Sequence, residues 1–163
     1  MMADRTPSGE AATRVILSTF RVNGLLLAAG DTLASEQGGL TSARWQVLGA
    51  IALAGQPLTV PQIARRMGLT RQSVHSTVNR LVGDGLAERI SNADHRRSQL
   101  VRLTDRGRAA YSAIDARQAA WVNHLAEGIG RQQLDAAADL LDELSRRLEA
   151  DSTTDPTDPE GSL

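Results

Sequence analysis

The chain contains no cysteine, so disulfides, thiolate metal sites and thiol redox chemistry are all excluded. Aromatic side chains are nearly as scarce, at 2%: Phe20, Trp45, Tyr111 and Trp121. That is too few rings for base or sugar stacking to be the main binding device. Lysine is missing as well, and all 18 basic residues are arginines. Genome base composition is the expected source of that bias, but arginine also suits phosphate and guanine, because its rigid fork bonds bidentately. No long apolar run occurs. The most apolar stretch, Val47 to Ala54, has eight residues and includes Gly49, against the roughly 18 that a membrane span needs. The start, MMADRTPSGE, has no apolar segment behind a basic one, unlike a secretion signal. A cytoplasmic protein with no membrane partner is expected. Net charge is small too: 18 basic against 19 acidic residues give −1, which at face value argues against nucleic acid.

What is present is mostly helical patterning within 163 residues, enough for a buried core. Residues 1–10 and the acidic tail 151–163, DSTTDPTDPEGSL, are expected to be disordered, being too polar to offset their ordering entropy. A first helix is predicted near 11–36, with Val15, Ile16, Phe20, Leu26, Leu27 and Leu33 on a broad apolar face, ended by Gly38-Gly39. Thr41 is placed to cap a second helix, in which Trp45, Leu48, Ile51 and Ala52 recur at helical spacing before Gly55 and Pro57.

The segment from Thr59 to Leu81 is the most informative. Thr59 and Gln62 have capping-box spacing, and Pro61 falls in the first turn, where its missing N–H costs nothing. Ile63, Ala64 and Met67 give a short helix one apolar side, and Gly68 permits the left-handed turn that closes it. Thr70 then caps a helix over 71–82 with Val74, Val78 and Leu81 facing inward. Two short capped helices joined through a glycine turn make a helix-turn-helix. Gly83-Asp84-Gly85 reads as a turn, and Leu86–Ile90 and Leu100–Thr104 read as strands around the polar loop 91–99, together a wing. Thr104 caps a long helix near 105–128 bearing Tyr111, Ile114, Trp121, Val122 and Leu125. A last helix, 131–150, carries Leu134, Ala137, Leu141, Leu144 and Leu148.

Counted by region, the charge changes meaning. Residues 60–108 hold ten arginines and four acids, a local +6, and the rest of the chain holds −7. Such asymmetry marks a nucleic-acid face on an acidic body. On the helical wheel of 71–82, Gln72, Ser76 and Asn79 lie opposite the apolar side, with Ser73, His75 and Arg80 at its margins. A recognition helix reads the major groove from its N-terminal half. Gln72, Ser73 and Ser76 are therefore candidates for base edges, and Thr70 and Arg71 for the helix start and phosphate or guanine. The competing reading is a plain solvated helix. In the loop, Arg96 and Arg97 suit a narrow minor groove; Asp94 is placed to hold Arg96 or a neighbouring backbone group, which is compatible with an Asx turn started by Asn92 or Asp94.

Three strings, LTSARWQVLGAI, LTVPQIARRMGLTRQSVHSTVNRLVGDGLAER and NADHRRSQLVRLTDRG, resemble the MarR family of bacterial winged helix-turn-helix regulators, and the likeness runs from about 11 to 150. It implies a mainly α fold with a small β-wing, in which 41–104 bind DNA and 11–37 with 105–150 form a helical dimerisation region. It implies a homodimer, one winged domain per protomer, on a pseudo-palindromic double-stranded operator. Asp94 and Arg96 then make the minor-groove contact of the family's Asp-x-Arg wing. Many such proteins repress transcription and release DNA when a small phenolic or lipophilic anion binds between the winged and dimerisation domains. Lacking cysteine, the chain departs from the thiol-sensing branch.

The dimer also follows from amphipathicity, because Leu- and Ala-rich helices at both ends exceed what one small winged domain covers. No catalytic residue, metal site or cofactor is expected: His75, His95 and His124 are scattered, and no nucleophile elbow, phosphate loop or dinucleotide fingerprint appears. A winged helix used only for protein contacts, or a regulator without an effector, remains the rival. For an effector, Phe20, Arg44, Trp45 and Trp121 are the residues available to line and polarise an apolar pocket, with the tryptophans equally serviceable as core anchors.

Overall fold

The structure is a computed structural model that describes residues 4–35, 40–93 and 98–153. Six helices and three strands are seen among them: α1 (Pro7–Ser35), α2 (Ser42–Ala52), β1 (Leu58–Thr59), α3 (Val60–Met67), α4 (Arg71–Gly83), β2 (Ala87–Ile90), β3 (Leu100–Leu103), α5 (Asp105–Leu125) and α6 (Arg131–Thr153). The chain divides into two compact units, Met1–Trp121 and Val122–Leu163. No described helix is long and apolar enough to cross a membrane.

The core of the first unit is aliphatic. Val47 and Leu48 of α2, Ile63 of α3, Val74, Val78 and Leu81 of α4, Val101 of β3 and Ile114 of α5 are all essentially inaccessible. Each comes from an apolar repeat of period 3.6 or 2, so the sequence pattern decides which side of every element turns inward. The sheet is antiparallel in the order β1-β3-β2, with Leu58 opposite Val101 and Ala87 opposite Leu103. Two-residue β1 was not anticipated. It is polar-apolar sequence too short to carry a period, and only its pairing with β3 makes it a strand.

Other boundaries depart from expectation for local reasons. Helix α1 begins at Pro7, inside the segment 1–10 expected to be disordered. Thr6 caps it, accepting the Gly9 N–H at 3.0 Å, and Pro7 stands at the first helical position. Helix α5 ends at Leu125 and α6 runs to Thr153, within the tail expected to be disordered from 151; the rest of that tail lies outside the described residues, as does Gly38-Gly39. The apolar face expected on α1 is largely exposed on the single chain: Ile16, Phe20, Leu26 and Leu27 are open to solvent, and only Gly30 and Ala34 are buried.

Gly30 shows how α1 meets α2. A Cβ there would lie 2.8 Å from Ser42 Oγ and 3.6 Å from the Trp45 ring. Beside it, Asp31 accepts the Ser42 N–H at 2.6 Å, a carboxylate on the positive end of α2.

Candidate nucleic-acid interface

The two short helices are set by their caps. Thr59 and Gln62 form a reciprocal capping box, with the Thr59 N–H donating to Gln62 Oε1 at 2.8 Å. Gly68 closes α3 at φ 61°, a left-handed conformation open to glycine at little cost. Two residues later the Thr70 hydroxyl accepts the Ser73 N–H at 3.2 Å and starts α4. The tight link fixes the angle between the helices, while Val74, Val78 and Leu81 root α4 in the core. Thr70→Ala is expected to cost about 1 kcal/mol of stability, measurable by urea unfolding, without changing the fold.

With that side buried, Thr70, Arg71, Gln72, Ser73, His75, Ser76, Asn79 and Arg80 are all exposed. They form one continuous polar surface along α4, and Arg65 and Arg66 of α3 are exposed beside it. Its two ends differ. Toward the C-terminus, Arg89 of β2 donates to Asn79 Oδ1 at 2.7 Å, and the Asn79 amide nitrogen lies 3.3 Å from His75 Nδ1. That chain holds Asn79 and His75 in place. Toward the N-terminus, no described residue bonds the side chains of Arg71, Gln72 or Ser76, so they are available to a ligand.

The C-terminal end of α4 is tied down from two directions. Asp84 caps the helix and pairs with Arg44 of α2, and its carbonyl accepts from Arg106 of α5 at 3.1 Å. The Thr104 hydroxyl donates to the next carbonyl, that of Gly85, at 2.8 Å. Burial first, and the nearby Arg80 guanidinium second, lower the Arg44 pKa from its ordinary value. Arg44 Nε is buried with no partner among the described residues, so Asp84 carries most of the compensation for that charge. In the wing, Arg102 of β3 bonds Glu88 of β2 across the strands at 2.8 Å. The tip residues Asp94, Arg96 and Arg97 lie outside the described residues.

A second feature of the first unit is a cleft of about 420 Å³ between α2 and α5, lined by residues including Trp45, Gln46, Leu53, Met67, Tyr111, Asp115 and Gln118. The Tyr111 hydroxyl donates to Asp115 Oδ1 at 3.4 Å. Burial, and then the Asp115 charge, raise the phenol's pKa, so the ring stays neutral. Gly49 makes room for it, since a Cβ there would come within 3.2 Å of the Tyr111 ring.

A helix-turn-helix with an exposed polar second helix and a three-stranded wing is a groove-reading arrangement. The family model described as the MarR family matches residues 38–98, which hold α2, β1, α3, α4 and β2. The chain belongs to the MarR family. As a MarR-family protein it is a DNA-binding transcription regulator with a winged-helix fold. It is 41% identical over 138 residues to the uncharacterized protein Rv2011c of Mycobacterium tuberculosis, covering 85% of this chain and 94% of that one. It is 30% identical over 107 residues to the transcriptional activatory protein BadR of Rhodopseudomonas palustris, covering 64% and 61%. Among solved structures, CouR from Rhodococcus jostii RHA1 bound to p-coumaroyl-CoA matches at a TM-score of 0.70 and 26% identity, covering 77% of this chain and 87% of CouR.

In this MarR-family chain the eight residues expected on the recognition helix are brought together on one surface. The four suggested for an effector pocket are not. Trp45 lines the cleft, but Phe20 is 69% exposed on α1, Trp121 is half-buried elsewhere on α5, and Arg44 is engaged by Asp84. The cleft's other principal residues, Tyr111, Asp115 and Gln118, escaped the sequence reading. Their i, i+4, i+7 spacing on α5 was the available signal. Arg89 also escaped, because its partner Asn79 sits ten positions away across the turn into the wing.

Proposed function

We propose that two copies of this chain bind a pseudo-palindromic double-stranded DNA operator and repress the transcription unit it controls. Arg71, Gln72, Ser73 and Ser76 read base edges or adjoining phosphates in the major groove. His75, Asn79 and Arg80 flank them, Thr70 sets the start of the helix, and Asp94, Arg96 and Arg97 serve a minor groove. The observation that carries this reading is the continuous exposed polar surface of α4 opposite its three buried valine and leucine anchors. The +6 charge of residues 60–108 supports it. Apolar side chains exposed along α1 and α6, among them Phe20, Leu25, Leu134 and Leu141, support pairing through the first and last helices. Symmetric pairing spaces the two recognition helices by roughly 34 Å, one turn of DNA. The work is done on chromosomal DNA, hence in the cytoplasm. A small organic ligand in the cleft beside Trp45 tunes operator affinity, by analogy with CouR, which is bound to p-coumaroyl-CoA.

Gel-shift titration on fragments of the protein's own genome tests this. Specific, salt-sensitive binding to duplex DNA is expected; salt-insensitive or absent binding favours a protein-docking winged helix. Gln72→Ala is expected to cost about 1–3 kcal/mol on the operator and to relax preference at one base position. Arg96→Ala is expected to weaken binding to most sequences and lower the salt slope by about one unit. Equal losses for both variants on operator and random DNA defeat that division of labour. A reporter fused to the bound promoter, silent with the protein and active without it, tests repression; the opposite response indicates activation, the activity named for BadR.

A further inference from the structure

We propose that the cleft between α2 and α5 selects an aromatic organic cation over an organic anion of the same shape. The inference rests on reading that cleft as the ligand site, and adds the charge of what it takes. Among the described residues lining it, Asp115 is the one with an ionisable carboxyl or a basic group. One oxygen of Asp115 accepts from Tyr111, and no described residue bonds the other. The Tyr111 hydroxyl is committed to that carboxylate and stays protonated, so it adds no charge of its own.

The walls suit the same ligand. Trp45 and Tyr111 present aromatic rings, whose negative faces attract an ammonium group. Met67 supplies a polarisable thioether, and Gln118 a neutral amide. No arginine is among the described residues that line the cleft. Three arginines adjoin lining residues in sequence, Arg44 beside Trp45, Arg66 beside Met67 and Arg117 beside Gln118, and the Arg44 guanidinium is paired with Asp84 at the end of α4. An anion entering this space therefore meets a carboxylate and, among the described lining residues, no compensating cation, whereas a cation meets a carboxylate and two rings. The volume of about 420 Å³ accommodates a fused bicyclic ring with a substituted ammonium group.

The test uses two probes with one ring system and opposite charges, (2-naphthylmethyl)trimethylammonium and 2-naphthylacetate. Each is titrated into the full chain carrying Trp121→Phe, so that Trp45 is the fluorescent reporter. Calorimetry runs in parallel, together with release of a bound operator fragment. The ammonium probe is expected to bind at least tenfold more tightly than the acetate. Asp115→Asn is expected to lower ammonium affinity about tenfold, to leave the acetate equal or improved, and so to collapse the selectivity; Asp115→Glu is expected to restore it. Thermal melting of each variant by circular dichroism separates lost binding from lost fold. If the acetate binds as tightly as the ammonium probe, or releases the operator while the ammonium probe does not, the charge assignment is overturned and the ligand-responsive reading survives. If neither probe perturbs Trp45 or the operator complex, both are overturned. Retention of full ammonium affinity in folded Asp115→Asn also overturns the assignment.

Discussion

Gly107→Ala is expected to destabilise the winged unit by about 3–5 kcal/mol, among the largest effects available to a single methyl group. Gly107 lies in the first turn of α5 and is buried. A Cβ there would stand well inside contact distance of the Leu86 carbonyl oxygen and 2.8 Å from its carbon. Neither partner has room to yield. The Leu86 N–H is bonded to the Leu81 carbonyl at 2.8 Å, closing α4, and the Leu86 carbonyl accepts from Thr104 N at 3.1 Å. Gly107 itself donates to the Thr104 hydroxyl at 3.0 Å, the cap that starts α5. Relief therefore requires moving the end of the recognition helix, the start of the wing or the start of α5, all of which support the DNA-reading surface. At about 2–4 °C per kcal/mol for a chain of this size, the melting temperature should fall by about 10 °C. Gly83→Ala is the matched control, because nothing lies within 4 Å of its Cβ position at the end of α4; it should be neutral or slightly stabilising. A Gly107→Ala protein that melts with the parent would mean that α5 packs less tightly on the α4–wing turn than the structure has it.

The same residues show where sequence is informative and where it falls silent. Helices α3 and α4 were legible almost to the residue because their determinants are local. Thr59, Gln62, Pro61, Gly68 and Thr70 act within one turn of themselves, and Val74, Val78 and Leu81 have a period that admits one buried side. Legibility extends to the DNA-reading surface, since fixing the buried side of a helix fixes the exposed one. Gly107 looked like an ordinary residue of a helix start, because the atom it must avoid belongs to Leu86, 21 positions away. Arg44 had the same problem in reverse. An arginine beside a tryptophan suggested a polarised pocket, but its partner Asp84 is forty positions on, and that pairing moves its charge from the cleft to the end of α4. The cleft was unreadable for the same cause, joining Trp45 to residues of α5 that the whole helix-turn-helix and wing separate from it.

Breaking the helical pairing is expected to lower operator affinity by about two to four orders of magnitude while leaving the DNA-reading surface intact. Phe20 on α1 and Leu141 on α6 are both exposed apolar side chains on the single chain. In α1, Phe20 belongs to a run with Ile16, Leu17, Val22 and Leu25 that few isolated proteins leave open to water. Covered by a partner, each large side chain contributes about 1.5–3 kcal/mol. Phe20→Glu and Leu141→Glu replace that gain with the cost of desolvating a carboxylate in an apolar seam. Sedimentation should then report a species near 17.4 kDa, where the parent sediments at twice that mass. The loss of affinity follows from linkage. A dimer that has docked one recognition helix presents the second at a high effective concentration, an advantage of about 10²- to 10⁴-fold that vanishes when the copies separate. A half-site should then bind parent and variant alike, because α4 and its caps lie outside the substituted helices. Equal loss on half-site and full operator would instead mean that the substitutions had unfolded the chain, which circular dichroism checks independently. A variant that keeps both the doubled mass and the full operator affinity would place the dimer contact away from α1 and α6, and the exposed leucines of those helices would then need another partner.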